Sequence, residues 1–167
     1  MFMIIQKDAS CPMPDMSSRL SELSLGSLQT LFETLHPPSF ALCHGNFRAD
    51  FIGPAWLRMT APPAIAASGL RGWRGKCFLE AGQAVNRVMR GGREEQVLPM
   101  TAAIRPSLRD DTPVLALTYG ASSPLPWRFV CDEVRQLDED HLLAMTVIDL
   151  PGLRRLGFPF LLTRERP

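Results

Sequence analysis

The chain has 167 residues, of which 18 are basic and 17 acidic, leaving a formal net charge of +1. Near-neutrality removes the general electrostatic reason to expect a nucleic-acid partner or an anionic membrane. With 46% hydrophobic residues, the length suits one domain large enough for a substantial core. No apolar run approaches the roughly 18 residues that a membrane-spanning helix needs. The apolar start Met1–Ile5 is cut off by Gln6-Lys7-Asp8, too short for a signal-peptide core. Cys11, Cys43, Cys77 and Cys131 are scattered without a C-x-x-C pair, which reads as free thiols in a reducing compartment. A cytoplasmic location follows as the expectation. Arginine dominates the basic residues, and Lys7 and Lys76 are the only lysines.

Residues 1–17 read as a loose arm, because Pro12, Pro14 and Ser17-Ser18 discourage regular structure, although the first five residues suit a short strand. The rest, 18–167, reads as one domain. Leu28, Leu31, Phe32 and Leu35 recur at helical spacing, and Ser27 is placed to cap the helix they define over 27–36. Pro37-Pro38 stops it. Its apolar stripe suits packing against the body of the domain or a dimer contact. Residues 40–53 read as a first strand in which Phe47, Ala49 and Phe51 share one face and Asn46, Arg48 and Asp50 the other. Gly53-Pro54 opens a short helix to Met59, which Pro62-Pro63 is expected to end. That connection carries Trp56 and Met59 and suits either a lid over a pocket or a plug that completes the core.

The stretch Gly69-Leu-Arg-Gly-Trp-Arg-Gly-Lys-Cys-Phe78 has three glycines in seven residues, so the backbone can bend there or pass close to a neighbour. Strands then follow at hairpin spacing. Lys76–Leu79 and Gln83–Arg90 flank the turn Glu80-Ala81-Gly82, and Gly91-Gly92 turns into Gln96–Arg105, where Pro99 suggests an edge or a bulge. Val114–Tyr119, Trp127–Leu137, Leu142–Asp149 and Phe158–Thr163 complete the set. No helical pattern separates these segments, so parallel crossovers are excluded in favour of an antiparallel meander. About eight such strands predict a mainly β fold: an up-and-down antiparallel barrel over 40–164, with the N-terminal helix packed on it. A barrel of this size is either filled or holds one small ligand. Several strands are apolar on both faces. One face is therefore expected to line the interior, and the other to meet the helix or a second subunit in a homodimer.

Three segments taken together carry a resemblance: Gly72-Trp-Arg-Gly-Lys-Cys-Phe78, Pro126-Trp-Arg-Phe-Val-Cys-Asp-Glu-Val-Arg135 and Pro159-Phe-Leu-Leu162. The chain resembles lipocalin-like, or calycin-like, β-barrel proteins of unknown function, and is similar to proteins named for a GXWXG motif. Arg71 stands where that motif places its first glycine. The resemblance implies an internal apolar cavity for a small molecule and no particular reaction.

The chemistry-bearing residues are few. Cys43-His44 lacks the geometry of a nucleophile and its base, because adjacent strand residues point to opposite faces. No zinc-ligand spacing, nucleophile elbow or phosphate loop occurs, so neither a metal nor a cofactor is expected. More telling are polar residues set among apolar strands: Arg48, Asp50, Asn86, Arg87, Tyr119, Asp132 and Glu133. They suit a structural network, a wet outer face, or the polar end of an apolar pocket. In the last reading Arg48, Asn86, Arg87 and Tyr119 contact the ligand, and Trp73, Phe78 and Trp127 form the apolar walls. Asp50, Asp132 or Glu133 would transfer protons, although Asp132 and Glu133 point to opposite faces and at most one reaches the interior. The expected function is binding of a small hydrophobic molecule. The alternatives are a cofactor-free isomerase or cyclase for a polyketide- or terpenoid-like substrate, or an interaction module with a filled barrel.

Overall fold

The computed structural model describes residues 15–166. Cys11, and the strand suggested for the first five residues, lie outside that range. Eight strands close into one antiparallel barrel in which each strand pairs with its chain neighbours. They are β1 (Gly45–Phe51), β2 (Trp73–Leu79), β3 (Gln83–Arg90), β4 (Arg93–Pro106), β5 (Pro113–Tyr119), β6 (Val130–Gln136), β7 (His141–Ile148) and β8 (Gly157–Arg164). Closure runs through β1 and β8, with Phe51 opposite Phe160 and Phe47 opposite Arg164. The antiparallel barrel of about eight strands, read from hairpin spacing, is the architecture found.

Helices cover part of the outside. Helix α1 (Met16–Ser21) starts inside the stretch expected to be loose, because the Asp15 side chain accepts a hydrogen bond from the Ser18 backbone N–H. Helix α2 (Leu25–Thr34) begins three residues earlier than its apolar spacing suggests. Its cap is Ser24, whose hydroxyl oxygen accepts from the Ser27 N–H, so Ser27 lies in the first turn. Leu28 and Phe32 are fully buried against the barrel wall. They join Leu20 of α1 and the outward-facing Ala116, Leu143, Met145 and Val147 in one apolar layer. Strands apolar on both faces are thereby explained: β7 sends Leu142 and Ala144 inward and Leu143 and Met145 beneath the helices. The chain's own helices meet the need that suggested a second subunit.

Two glycines set the barrel's geometry at β2. Gly75 has φ +149, and a Cβ there would lie 2.0 Å from the Phe47 carbonyl oxygen. Gly72 has φ +76, and its Cβ would lie 2.4 Å from the Met89 carbonyl oxygen. Only glycine lets β2 approach both neighbours this closely. The register slips between Trp73 and Gly75, a bulge that accommodates Arg74. A second register shift lies on β3–β4 between Ala84 and Asn86, beside Leu98 at φ +50 and Pro99, so Pro99 marks a bulge in a sheet that has no edge.

Between β1 and β2 the chain forms α3 (Ala55–Ile65), which passes through Pro62 and Pro63 instead of ending before them. Proline in a helix leaves the carbonyls four residues earlier without a donor. Here those belong to Arg58 and Met59, which are solvent-exposed, so water can satisfy them. A π-helical turn follows (Ala66–Leu70), ending near Gly69 at φ +101. The Trp127 indole N–H donates to the Ser68 carbonyl at 2.7 Å and ties this turn to the barrel. Trp127 itself sits in a 3-10 turn (Trp127–Phe129) and not in the strand expected to begin there. Among the described residues no helix is long and apolar enough to cross a membrane.

Candidate functional site

The α3 connection lies over the barrel end formed by the last residues of β1, β3, β5 and β7 and the first of β2, β4, β6 and β8. Between α3 and that rim is an apolar pocket of about 270 Å³. Phe51, Trp73 and Phe160 line it from the barrel, and Trp56, Ala61 and Ile65 from the helix. Alternation along the strands explains the barrel side. Phe51 lies on the same face as Phe47, and Phe160 on the same face as Leu162, so each points inward at the rim. The Trp73 ring packs against Phe51 at 5.7 Å and edge-on against Phe160 at 5.4 Å. It forms the floor of the pocket.

Beneath this floor is a second, much smaller space of about 10 Å³, room for roughly one water. It is polar. Lys76, Asn86, Tyr119 and Asp132 line it, and it shares Ile65, Trp73, Thr146 and Phe160 with the apolar pocket above. The Lys76 ammonium donates to Asp132 Oδ2 at 2.8 Å and to Asn86 Oδ1 at 3.0 Å. It also lies 5.7–5.9 Å from the ring centres of Trp73, Tyr119 and Phe160, where a cation is attracted to each aromatic face. Thr146 Oγ1 donates to Asp132 Oδ1 at 2.7 Å. The Asn86 amide donates to the Tyr119 hydroxyl at 3.0 Å, and the Trp73 indole N–H to Asn86 Oδ1 at 3.1 Å. One amide thus ties the lysine, the tyrosine and the tryptophan together.

The Lys76 and Asp132 side chains are 1% and 4% exposed, so the pair is sealed from bulk water and its formal charges cancel. Burial pushes the Tyr119 hydroxyl well above its ordinary range, and the adjacent Asp132 carboxylate raises it further. Both effects favour the protonated phenol. The chamber combines a cation, a carboxylate, a protonated phenol and an amide behind an apolar antechamber. Such a set can orient a carbonyl or hydroxyl group and can exchange protons with it.

Five residues named from the sequence meet here: Trp73, Asn86, Tyr119, Trp127 and Asp132. Phe78 is deeper, edge-on to Phe47 at 5.3 Å, in the packed middle of the barrel. That middle is filled by side chains, so the space expected at the centre lies instead at the α3 end. The other four are on the outer face, because each alternates with an inward neighbour. Arg48 and Asp50 pair with each other at 3.0 Å outside β1. Arg87, next to inward Asn86, is held by Glu94 at 2.7 Å and by Glu165 at 2.5 Å. Glu133, next to inward Asp132, accepts from Ser107 Oγ at 2.7 Å and the Leu108 N–H at 2.6 Å. Burial raises the Glu133 carboxyl above its usual range, against the lowering effect of those two bonds. None of the four reaches the pocket. Cys43 is buried near the opposite end, and desolvation pushes its thiol up to about 12, which removes it as a nucleophile at neutral pH.

Lys76 and Thr146 were missed. Both carried a readable signal. Lys76 is two residues from Phe78, and Thr146 two from Ala144, so alternation puts both inside.

No family model matches the chain, and no curated protein matches it. Among solved structures, its fold is similar to the crystal structure of a protein from Thermomonospora curvata, with a TM-score of 0.62 over 90% of this chain and 98% of that one. The two sequences are 19% identical over the match, so the likeness is one of fold: the closed eight-stranded barrel has a counterpart of nearly the same extent.

Proposed function

We propose that the protein binds a small, uncharged hydrophobic molecule with one hydrogen-bonding group, at the α3 end of the barrel and not in its filled middle. The apolar body occupies the pocket under α3, and the polar group reaches past Trp73 and Thr146 toward the chamber. The observation that carries this reading is the shared wall: an apolar pocket of about 270 Å³ and the small chamber at Lys76 and Asp132 have Ile65, Trp73, Thr146 and Phe160 in common. The volume lies near the lower end of the roughly 300–1,000 Å³ of ligand sites in general, which favours a compact body over a long acyl chain. Charge favours an uncharged head group. Lys76 and Asp132 already neutralise each other, so a ligand ion would enter a desolvated site with no free counter-charge.

The second reading is a cofactor-free isomerase or cyclase in the same pocket. Asp132 supports it, as the one carboxylate of the three named from sequence that lies in the chamber, with protonated Tyr119 beside it as a donor.

Titration with 3-phenylpropanol, followed by tryptophan fluorescence, tests the binding reading. A saturable change is expected in the native protein. It should weaken at least tenfold in Ala64→Trp, which places a large ring in the pocket from the exposed side of α3. An unsaturable or unchanged signal in the native protein would count against it.

A further inference from the structure

The geometry points to Lys76 as a covalent anchor for hydrophobic aldehydes, held as a protonated imine with Asp132 as its counter-ion. This rests on the binding reading above and specifies the ligand class for the same pocket. Three observations converge on it. Lys76 is the one lysine of the barrel in a chain whose other basic residues are arginines, apart from Lys7. A primary amine forms imines with carbonyls, and a guanidinium at the same place would not. The amine lies under the pocket and beside the water-sized space, which is about the room that a carbonyl oxygen requires. The surroundings also suit the product. An iminium is a cation, and this site offers a carboxylate oxygen at 2.8 Å and three aromatic rings at 5.7–5.9 Å.

The step balances without an outside reagent. The ammonium gives one proton to Asp132, and the free amine adds to the carbonyl carbon to form a carbinolamine. Asp132 returns the proton to its hydroxyl, one water leaves, and the C=N bond forms. The nitrogen keeps one N–H and its positive charge, and Asp132 is again a carboxylate. The pair is therefore ionic before and after, and its net charge never changes. Tyr119 and Thr146 sit where they can hydrogen-bond the carbonyl oxygen and then the departing water. An aldehyde is preferred to a ketone, because a second carbon substituent has no room in a space of about 10 Å³.

The test is reductive trapping on the full chain. The protein is incubated with 3-phenylpropanal and sodium cyanoborohydride, digested and mapped by mass spectrometry. The expected result is a gain of one aldehyde less one oxygen at Lys76, at least tenfold more than at Lys7 or the terminal amine. Excess 3-phenylpropanol, or the Ala64→Trp substitution, should lower it at least tenfold. Lys76→Arg should lose the adduct at that position. Labelling only at Lys7 and the terminus, or labelling at Lys76 that the alcohol does not protect, overturns the anchor. If the alcohol changes the fluorescence but no aldehyde is trapped on Lys76, the anchor falls and the binding reading stands. If neither occurs, both fall.

Discussion

Lys76 Nζ and Asp132 Oδ2 stand 2.8 Å apart inside the barrel wall, the lysine two residues along β2 from Phe78 and the carboxylate facing it from β6. A charge pair of this kind is costly to break from one side only. Removing one partner leaves the other buried and unpaired, a loss of about 3–5 kcal/mol, whereas replacing both by apolar groups is often neutral. Lys76→Met and Asp132→Leu should each lower the urea midpoint sharply, and the two together should recover most of the loss. A double mutant as unstable as the sum of the singles would mean that the pair is not coupled in this way.

Arg135 gives a pH-dependent counterpart outside the barrel. Its guanidinium is fully buried and bonds the Phe32 carbonyl at 2.7 Å and both Asp110 oxygens at 3.0 and 3.1 Å. Burial alone would raise the Asp110 carboxyl, but the bonds from Arg135 and Thr112 outweigh it and hold it below its ordinary value of 3.8. A carboxyl lowered in the fold stabilises above its unfolded pKa and loses that contribution as pH falls through the folded value. Asp110→Asn should therefore cost about 2 kcal/mol at neutral pH. The difference from the native protein should shrink as the pH is taken below 3.8. Denaturation at several pH values reads this directly, and a constant difference would contradict it.

Glu133 has the opposite sign. Its carboxyl is raised above the ordinary 4.5, chiefly by burial. The contribution to stability is greatest below the unfolded pKa and is lost as pH rises through the folded one. Glu133→Gln keeps one acceptor oxygen for the Leu108 N–H, turns an amide donor toward Ser107 Oγ, and removes the titration. Its stability should vary less with pH above 4.5 than that of the native chain.

Gly75→Ala tests the close approach of β1 and β2. With φ at +149 and a Cβ only 2.0 Å from the Phe47 oxygen, the substitution cannot be absorbed by a side-chain rotation. A loss above about 4 kcal/mol is expected, enough to prevent purification of folded barrel. The same change at Gly91, whose Cβ would meet nothing within 4 Å, should cost far less despite its φ of +53.

These contrasts also mark what the sequence could carry. Hairpin turns such as Glu80-Ala81-Gly82 and the absence of intervening helices made the meander legible, because local spacing decides between a hairpin and a crossover. Alternation made Asp132 and Glu133 mutually exclusive, and the same rule, applied to Asn86 and Arg87, would have kept only Asn86 inside. It would equally have moved Arg48 and Asp50 outward with Asn46, opposite Phe47. Lys76 escaped notice because a lone cation among apolar residues reads as solvent-facing until its partner is known, and Asp132 is 56 positions away in the chain. The prolines of α3 misled for a related reason. Pro62 and Pro63 are tolerated here with the Arg58 and Met59 carbonyls at an exposed face, and exposure is a property of the assembled fold.

The three tryptophans report at three depths on the space under α3, the proposed ligand site beside the Lys76 chamber. Trp56 lies on the lid, Trp73 on the shared wall, and Trp127 beside the chamber. The most direct measurement follows their indole N–H resonances by nitrogen–proton NMR during titration with 3-phenylpropanol. Saturable shifts of Trp56 and Trp73 with one common dissociation constant, absent in Ala64→Trp, are the predicted result. Resonances that stay still up to the solubility limit of the alcohol, or that shift as strongly in the blocked variant, would contradict it.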